Sequence, residues 1–448
     1  MSLTRDLGQF VSDLSPNRVP EAAARIARTG FIDCVGVMFA GREEEPTRLL
    51  REVLQPAAGP ATLYFSGQAA GAPEAAWING VAAHALDYDD VALRGHPSTV
   101  LVPAILAEAE TLDVSGRDMV VAYVAGYEVW AELGRRESGY HHGKGWHPTG
   151  IFGAIAAAAA CAYLRRLDSS RTAQAIALGA SQSAGLMANF GTMTKPFHAG
   201  RSAHAGVMAA RLAAAGFSAS MDALEHPQGF LAAVSPEGKV DRTSKAEGLG
   251  ETWRIMTSGL SIKKYPTCYC THRAIDGMLD LVREQDVKPG DVEAVTVSLS
   301  NNFATILRNH HPQTGLEAKF SIEFAMACAL VARRVGLAEL TDGFVQRPDV
   351  QALMPRVTVE ISTEPDLDHS GAALADQVVI RLASGGTLHG ERVHRARGHA
   401  DRPLAEQDLF AKFEDCLTVG RSAVPPQEMF ARLTGMEHGS ARSLTAVN

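Results

Sequence analysis

Apolar and polar positions divide the chain into two kinds of pattern. Up to about residue 260 almost every segment has a helical pattern, and Ala and Gly are dense in residues 150–164, 173–187 and 199–216. Small residues on several faces of a helix let neighbouring helix backbones approach closely. Charged stretches such as residues 165–171 separate these segments. The first part of the chain is therefore predicted to be a compact helical bundle with buried central helices.

Beyond about residue 260 the spacing of apolar side chains changes from a helical period to a period of two residues. Residues 292–298 and 357–361 alternate between apolar and polar side chains, which is typical of half-buried strands. Residues 377–393 contain two apolar runs around Ser-Gly-Gly-Thr at 384–387, a pattern that predicts a hairpin. Residues 318–335 are helical again. This part of the chain is predicted to mix strands with helices.

The tail returns to the helical pattern. Two segments, residues 404–413 and 426–433, each follow a proline, which suits a helix start. Helical ends around a mixed insert indicate that the tail packs back on the first domain. The predicted fold class is mostly α. A large all-helical domain is expected from residues 1–260 and 396–448, with a smaller α+β domain, built on an antiparallel sheet, from residues 261–395.

Composition narrows the function classes. The 448 residues suggest about two or three domains. With 46% hydrophobic and 21% charged residues, the composition is that of a globular protein. The net charge of -8 argues against nucleic acid or an anionic membrane as a partner. The N-terminal residues lack the apolar core of a signal peptide, and the longest nearly apolar stretch, residues 151–164, is too short to span a bilayer. The six scattered cysteines do not suggest a disulfide framework, so a cytoplasmic protein, or one of an organelle matrix, is expected.

Four short segments share one design, a basic or imidazole side chain beside a proline at an expected helix start. They are residues 96–99 (HPST), 147–150 (HPTG), 195–198 (KPFH) and 263–267 (KKYPT). Proline suits the first turn of a helix, whose free N–H groups attract anions. If the four converge, His96, His147, Lys195 and Lys263 would form a pocket for a substrate with two or three carboxylates. The alternative is that each is only a helix start. Side chains in or beside these segments are expected to bind the substrate: Ser98, Thr149, His198, Lys264, Tyr265 and Cys268.

An acidic run, residues 87–90 (DYDD), lies between His84 and His96. A carboxylate near an imidazole orients it and raises its basicity, as general acid–base catalysis requires. On a helix, Asp87 would share a face with His84, whereas Asp89 and Asp90 fit capping or surface roles better. A Mg²⁺ site is disfavoured because no second acid-rich motif completes it. No nucleotide-binding glycine motif or serine-hydrolase elbow occurs, so no metal or cofactor is predicted.

Taken in order along the chain, these motifs resemble the MmgE/PrpD family from about residue 5 to 435. The motifs are HALDYDD at 84–90, GHPS at 95–98, GWHPT at 145–149, TKPFHAG at 194–200, KKYP at 263–266 and AKFSI at 318–322. The family includes 2-methylcitrate dehydratase, cis-aconitate decarboxylase and iminodisuccinate epimerase, which act on small polycarboxylates without a required metal or organic cofactor. The resemblance implies a helical domain from both chain ends, an α+β lid domain, an active site between them, and a homodimer. The family's site positions fall on Asp87, His96, His147, Lys195 and Lys263.

Two positions depart from the family pattern. Val91 stands where the decarboxylases and dehydratases often have Thr, and Cys268 stands where the decarboxylase branch has His. Both changes remove polar contacts and argue against decarboxylation. The interpretation that follows is a general base, His96 or His147 oriented by Asp87, that removes a proton next to a carboxylate. A dehydratase of the 2-methylcitrate type is the first hypothesis. An epimerase, a decarboxylase, a metal-dependent lyase and a non-catalytic carboxylate-binding protein stay open as alternatives.

Overall fold

The computed structural model describes residues 2–63, 66–137, 139–367 and 371–445. The chain divides into two compact units, Met1–Ser261 with Glu406–Asn448, and Ile262–Ala405. Most described residues are helical, so the prediction of a mostly α protein is confirmed. No helix within the described ranges combines the length and the apolar character needed to cross a bilayer.

The N-terminal part of the first unit is a bundle of helices with one small hairpin. Its elements are α1 (Leu3–Ser12), α2 (Glu21–Ala40), α3 (Glu45–Leu54), β1 (Ala61–Leu63), β2 (Gln68–Ala70), α4 (Ala72–His84), α5 (Ser98–Leu112), α6 (Gly116–Arg135), α7 (His141–Lys144), α8 (Pro148–Leu164), α9 (Ser169–Ala180), α10 (Thr194–Ala214), α11 (Phe230–Val234) and α12 (Arg254–Ser258). The antiparallel pair β1–β2 departs from the almost purely helical prediction. Each strand has only three residues, too few for a period of two to appear in the sequence.

Helix α8 is the centre of this bundle. All 17 of its residues are buried, seven of them alanines, and α5, α6, α9 and α10 pack around it. Close approach depends on glycine at some crossings. A Cβ atom at Gly200 of α10 would lie 2.3 Å from the backbone oxygen of Trp77 in α4. The small residues therefore allow the close helix packing that the sequence predicts, and they bring the helices that carry the candidate site into contact.

The helix predicted over residues 173–187 is shorter than expected. Helix α9 ends at Ala180, and the chain turns where the Ser183 hydroxyl donates to the carbonyl of Ile151 at 2.6 Å. Gly185 then adopts φ +153°. Serine hydroxyls offer the backbone an alternative to helical hydrogen bonds, which explains the early end.

The second unit holds a four-stranded sheet covered by helices. Its elements are α13 (His272–Gln285), β3 (Val292–Leu299), α14 (Asn301–Ile306), α15 (Gly315–Ala318), α16 (Ile322–Ala332), α17 (Asp342–Val345), α18 (Pro348–Leu353), β4 (Val357–Ile361), β5 (Gln377–Leu382) and β6 (Thr387–His389). The strand order is β4-β3-β5-β6. Helices α13 and α16 pack with the sheet in one apolar core that includes Ile275, Val297, Phe324 and Ile380.

The prediction of an antiparallel sheet is wrong for one strand pair. Strand β3 pairs with β5, and β5 with β6, in antiparallel fashion, as the predicted hairpin requires. Strand β4 instead lies parallel to β3. The connection between β3 and β4 carries α14 to α18, and a crossover of that length returns the chain to the end of the sheet where a parallel strand can begin.

Three tail helices complete the first unit. They are α19 (Glu406–Val419), α20 (Pro426–Thr434) and α21 (Ala441–Thr445). Helix α19 packs against α2, and α20 against both. Helix α19 begins two residues later than predicted, whereas α20 begins at the predicted Pro426.

Candidate active site

The acidic run lies in a turn at the end of α4. The helix ends at His84, and Asp87 adopts φ +52°, in the left-handed region. The prediction that Asp87 shares a helix face with His84 is therefore wrong. The turn takes the chain out of the helix and allows side chains of neighbouring residues to point to different partners.

Asp89 is the carboxylate that holds the imidazoles. It is fully buried, and its two oxygens lie 2.8 Å from Nδ1 of His84 and 2.8 Å from Nδ1 of His96. An ionised carboxylate can only accept hydrogen bonds, so Nδ1–H of His84 donates to Asp89. Nδ1–H of His96 donates to the backbone carbonyl of Asp90 at 3.0 Å, with Asp89 beside it. In both rings Nε2 is therefore the nitrogen left to gain or lose a proton. The sequence interpretation assigned the orienting role to Asp87 and a capping or surface role to Asp89. Both assignments are wrong, because Asp89 and not Asp87 orients His96.

The pKa values of the two neighbouring carboxyls, Asp89 and Asp90, are shifted in opposite directions. Burial alone would raise the pKa of Asp89, but His84 and His96 hold that pKa well below its usual range. Asp90 is also fully buried, and burial together with the charges of Asp89 and Asp33 raises its pKa well above the usual range. The surroundings of Asp90 therefore favour its neutral form. The surface role expected for Asp90 is wrong as well.

His147 brings a third imidazole to the cluster from the start of α8. Its ring lies 6.2 Å from that of His84 and 6.3 Å from that of His96, and its Nδ1 lies 3.1 Å from Nδ1 of His198 in α10. Burial is the largest cause that lowers the pKa of His147 well below 6.5, and the charge of Lys195 adds to it. Burial, and then Lys195, also lower the pKa of His198. His147 is thus a neutral imidazole at pH 7, which is the form that can accept a proton.

Lys195 and Asp87 form an ion pair beside these rings. Lys195 Nζ lies 2.6 Å from Asp87 Oδ1, and the side chains are only 10% and 11% exposed. The ammonium also lies 5.3 Å from the centroid of the Phe190 ring, a cation–π distance. Lys195 lies inside the first turn of α10, which begins at Thr194, and not before the helix as predicted. The ammonium supplies the positive charge of the cluster.

Two hydroxyls predicted to bind substrate instead form hydrogen bonds within the protein. Ser98 is fully buried, with its Oγ 2.7 Å from the hydroxyl of Tyr123. Thr149 is fully buried, and its Oγ1 accepts a hydrogen bond from the backbone N–H of His96 at 3.1 Å. These contacts fix the starts of α5 and α8, where His96 and His147 are placed.

The remaining predicted residues belong to the second unit. Lys263 is 1% exposed, Lys264 is half-buried, and the hydroxyl of Tyr265 donates to Asp276 at 2.6 Å. The backbone N–H of Cys268 donates to the carbonyl of Lys319 at 2.9 Å. The prediction that residues 263–267 immediately precede a helix is wrong, because α13 begins only at His272, after the short 3-10 turn Tyr269–Thr271.

His84 and Asp89 belong to the cluster but are not among the residues that the sequence predicts for the site. Both are in the HALDYDD motif, and their five-residue separation spans the end of α4. His141 is 3% exposed and packs edge-on against Phe152. His310 and His311 are exposed.

Two donor sets within the described ranges could hold a metal ion. One ring nitrogen from each of His84, His96 and His147 lies within 4.8 Å of the other two. The second set joins His84 and His96 with Asp87 and Asp89 at the same spacing. Three imidazoles suit Zn²⁺ and its neighbours in the periodic table, whereas Mg²⁺ prefers oxygen ligands.

Comparisons with known proteins agree along most of the chain. The MmgE/PrpD N-terminal domain matches residues 5–243, and the MmgE/PrpD C-terminal domain matches residues 265–432. The cis-aconitate decarboxylase of Homo sapiens is 26% identical over 433 residues, which cover 92% of this chain and 87% of that protein. That of Mus musculus is 26% identical over 434 residues, covering 92% and 86%. That of Aspergillus terreus is 25% identical over 439 residues, covering 92% and 88%.

Proposed function

The chain belongs to the MmgE/PrpD family, and from that premise we propose that it is a lyase that transfers a proton at the carbon next to a carboxylate of a small di- or tricarboxylate. The first candidate is a hydro-lyase of the 2-methylcitrate dehydratase type. It works without a metal or organic cofactor, as the family resemblance implies. The single observation that carries the proposal is the imidazole cluster, which includes the buried, neutral ring of His147, beside the Lys195–Asp87 ion pair.

A neutral imidazole is the base that this chemistry needs at pH 7. A carbon-bound proton next to a carboxylate is weakly acidic, so its removal requires a positioned base and a cation that stabilises the enediolate. His147 has the lowered pKa of such a base, and His96 is oriented by the charged Asp89. The ammonium of Lys195 supplies positive charge for the enediolate and for the substrate carboxylates.

Dehydration also requires an acid, because the departing hydroxyl must be protonated. The cluster offers two separate imidazoles, His96 and His147, whose rings lie 6.3 Å apart. His147, the neutral ring, can take the proton from carbon while His96 delivers a proton to the leaving oxygen. Two rings at this separation can serve two different atoms of one small substrate, which is the reason for placing dehydration first.

Decarboxylation is the second candidate, because the similar relatives named above are cis-aconitate decarboxylases. In that reaction the C–C bond to a carboxylate breaks, CO₂ leaves, and the electron pair left on carbon takes a proton. The site would then need a proton donor and no base. Val91 and Cys268, which replace polar residues of the decarboxylase pattern, are the reason for placing this reaction second.

Proton NMR in D₂O distinguishes these reactions. The purified protein is incubated separately with 2-methylcitrate, citrate, cis-aconitate and iminodisuccinate. Loss of water from 2-methylcitrate is the expected result. Loss of CO₂ from cis-aconitate would establish the second candidate, and exchange of deuterium into iminodisuccinate without loss of either would indicate an epimerase. No change in any of the four, from protein shown to be folded by circular dichroism, would contradict the proposed proton transfer.

A further inference from the structure

The imidazole cluster has a feature that proton transfer alone does not require. Nε2 of His84 is buried and, within the described part of the chain, has no hydrogen-bond partner. Its Nδ1 is held by Asp89, which also holds Nδ1 of His96. Nδ1 of His147 faces the ring of His198. In all three rings the nitrogen left for a further ligand is therefore Nε2. A buried, unpartnered ring nitrogen is costly unless a ligand or a water satisfies it.

This arrangement matches the usual surroundings of metal-binding histidines. A metal-bound imidazole commonly donates its other N–H to a carboxylate, which fixes the ring and makes the ligating nitrogen more basic. Asp89 supplies that carboxylate to two rings at once, at 2.8 Å each. One ring nitrogen of each of the three histidines lies within 4.8 Å of the others, so a small shift of the side chains brings them to one ion.

The charges of the cluster also favour a cation. The ammonium of Lys195 and the carboxylate of Asp87 neutralise one another at 2.6 Å. The second carboxylate, Asp89, lies 2.8 Å from the imidazoles of His84 and His96 and adds negative charge beside them.

We propose that His84, His96 and His147 bind one divalent transition-metal ion, with Zn²⁺ as the expected ion, and that the bound ion inhibits the enzyme. The three-imidazole set is favoured over the set with Asp87 and Asp89, because both carboxylates already have partners at hydrogen-bond distance. The inhibition rests on the proposed function. An ion bound there occupies the lone pairs of His96 and His147 that proton transfer uses. The binding itself does not depend on that function.

Binding is measured on the full chain without reference to activity. The protein is treated with a chelator, dialysed, and titrated with ZnCl₂ by calorimetry and with CoCl₂ by visible absorption. One ion per chain is expected. Asp89→Asn should weaken binding by about 10- to 100-fold, which is the usual effect of losing the hydrogen-bond partner of a metal ligand. His84→Asn removes a ligand and should weaken binding by at least about 100-fold, the upper end of that range. Unchanged affinity in both variants would overturn the proposal.

Two controls separate this site from adventitious binding. The variant with both His310→Ala and His311→Ala removes an exposed histidine pair of the second unit and should bind as the parent does. The cobalt spectrum of the unaltered protein reads the ligand type directly. Bands of nitrogen ligation are expected, and intense thiolate-to-cobalt bands would instead place the ion on Cys268 and Cys270 and overturn the assignment. This readout remains valid if His84→Asn fails to fold.

Turnover then tests the inhibition. The chelator-treated protein should be active, lose activity with one equivalent of Zn²⁺, and regain it with EDTA. If the metal-free protein is inactive and Zn²⁺ restores turnover, the ion is a cofactor and the inhibitory claim is wrong. If neither form turns over any of the four acids while calorimetry shows one bound ion, the proposed function fails and the metal site stands.

Discussion

A lysine of the tail helix is predicted to stabilise the first unit through one buried ion pair. Lys412 of α19 lies 2.5 Å from Asp33 of α2, and the two side chains are 4% and 0% exposed. The ammonium also donates to the carbonyl of Tyr88 at 2.7 Å and lies 4.1 Å from the centroid of its ring. Because Tyr88 lies between Asp87 and Asp89, this contact joins the chain's tail to the turn that carries both carboxylates of the site.

Lys412→Met keeps the length of the side chain and removes the charge. It leaves the buried Asp33 carboxylate without the ammonium, and breaking a buried pair from one side costs about 3–5 kcal/mol. The methionine fills most of the space of the lysine stem, so little of this loss is a cavity effect. Asp33→Asn combined with Lys412→Met removes both charges and should recover a large part of the loss, because the two changes are directly coupled.

Urea denaturation followed by circular dichroism measures the effect. A matched control is Arg28→Met, which breaks another link between α2 and the tail. Arg28 pairs with Glu21 and Glu437, whose side chains are 67% and 26% exposed, so its loss should cost no more than about 1 kcal/mol. A Lys412→Met protein within about 0.5 kcal/mol of the parent would refute the reasoning, since that is the range of surface substitutions.

Three further predictions concern pH, packing and charge. Burial lowers the folded-state pKa of His84 from 6.5 to about 4, so the unfolded state binds a proton first as the pH falls. The free energy of unfolding, measured by urea denaturation, should therefore have its full value above pH 6.5. Near pH 4 the protonation of this group should make it roughly 3 kcal/mol lower. Gly200→Ala places a Cβ 2.3 Å from a backbone oxygen of α4 and should lower the free energy of unfolding, measured by thermal unfolding, by about 1–3 kcal/mol. The control is Gly134→Ala, whose Cβ would have no atom within 4 Å. This change should be neutral or should stabilise the protein by up to about 1 kcal/mol. Lys195→Met should lower kcat/KM by at least about 100-fold through loss of charge stabilisation, while Lys144→Met, at an exposed position, should leave it unchanged.

The elements that sequence predicts well are those with a clear local period. Strand β4 occupies the predicted residues 357–361, and α8 nearly matches its alanine-rich pattern. The pairing of β4 with β3 is a long-range contact that depends on the helices between the two strands. No local pattern in the sequence indicates that the two strands are parallel. The hairpin β1–β2 is too short to have a recognisable period.

For the candidate site too, the sequence predicts several of the residues that take part but not the residues that they contact. The motifs indicated His96, His147 and Lys195, and the structure brings these side chains into one cluster. The partners could not be derived from spacing, because the helix assumed for the acidic run ends at His84 and Asp87 adopts φ +52°. That turn directs Asp87 to Lys195 and Asp89 to the imidazoles.

The most direct test of the central claim, proton transfer by the buried imidazole cluster, is the rate of deuterium exchange in D₂O with the acid that the protein turns over. His147→Asn should reduce this rate by at least about 100-fold, the lower limit for loss of a general base. His204→Asn is the matched control, since burial also lowers the pKa of His204 to about 4, but its ring packs against Trp77 and takes no part in the cluster. The account predicts parental exchange in His204→Asn and near-complete loss in His147→Asn. Parental exchange in a folded His147→Asn protein would contradict it.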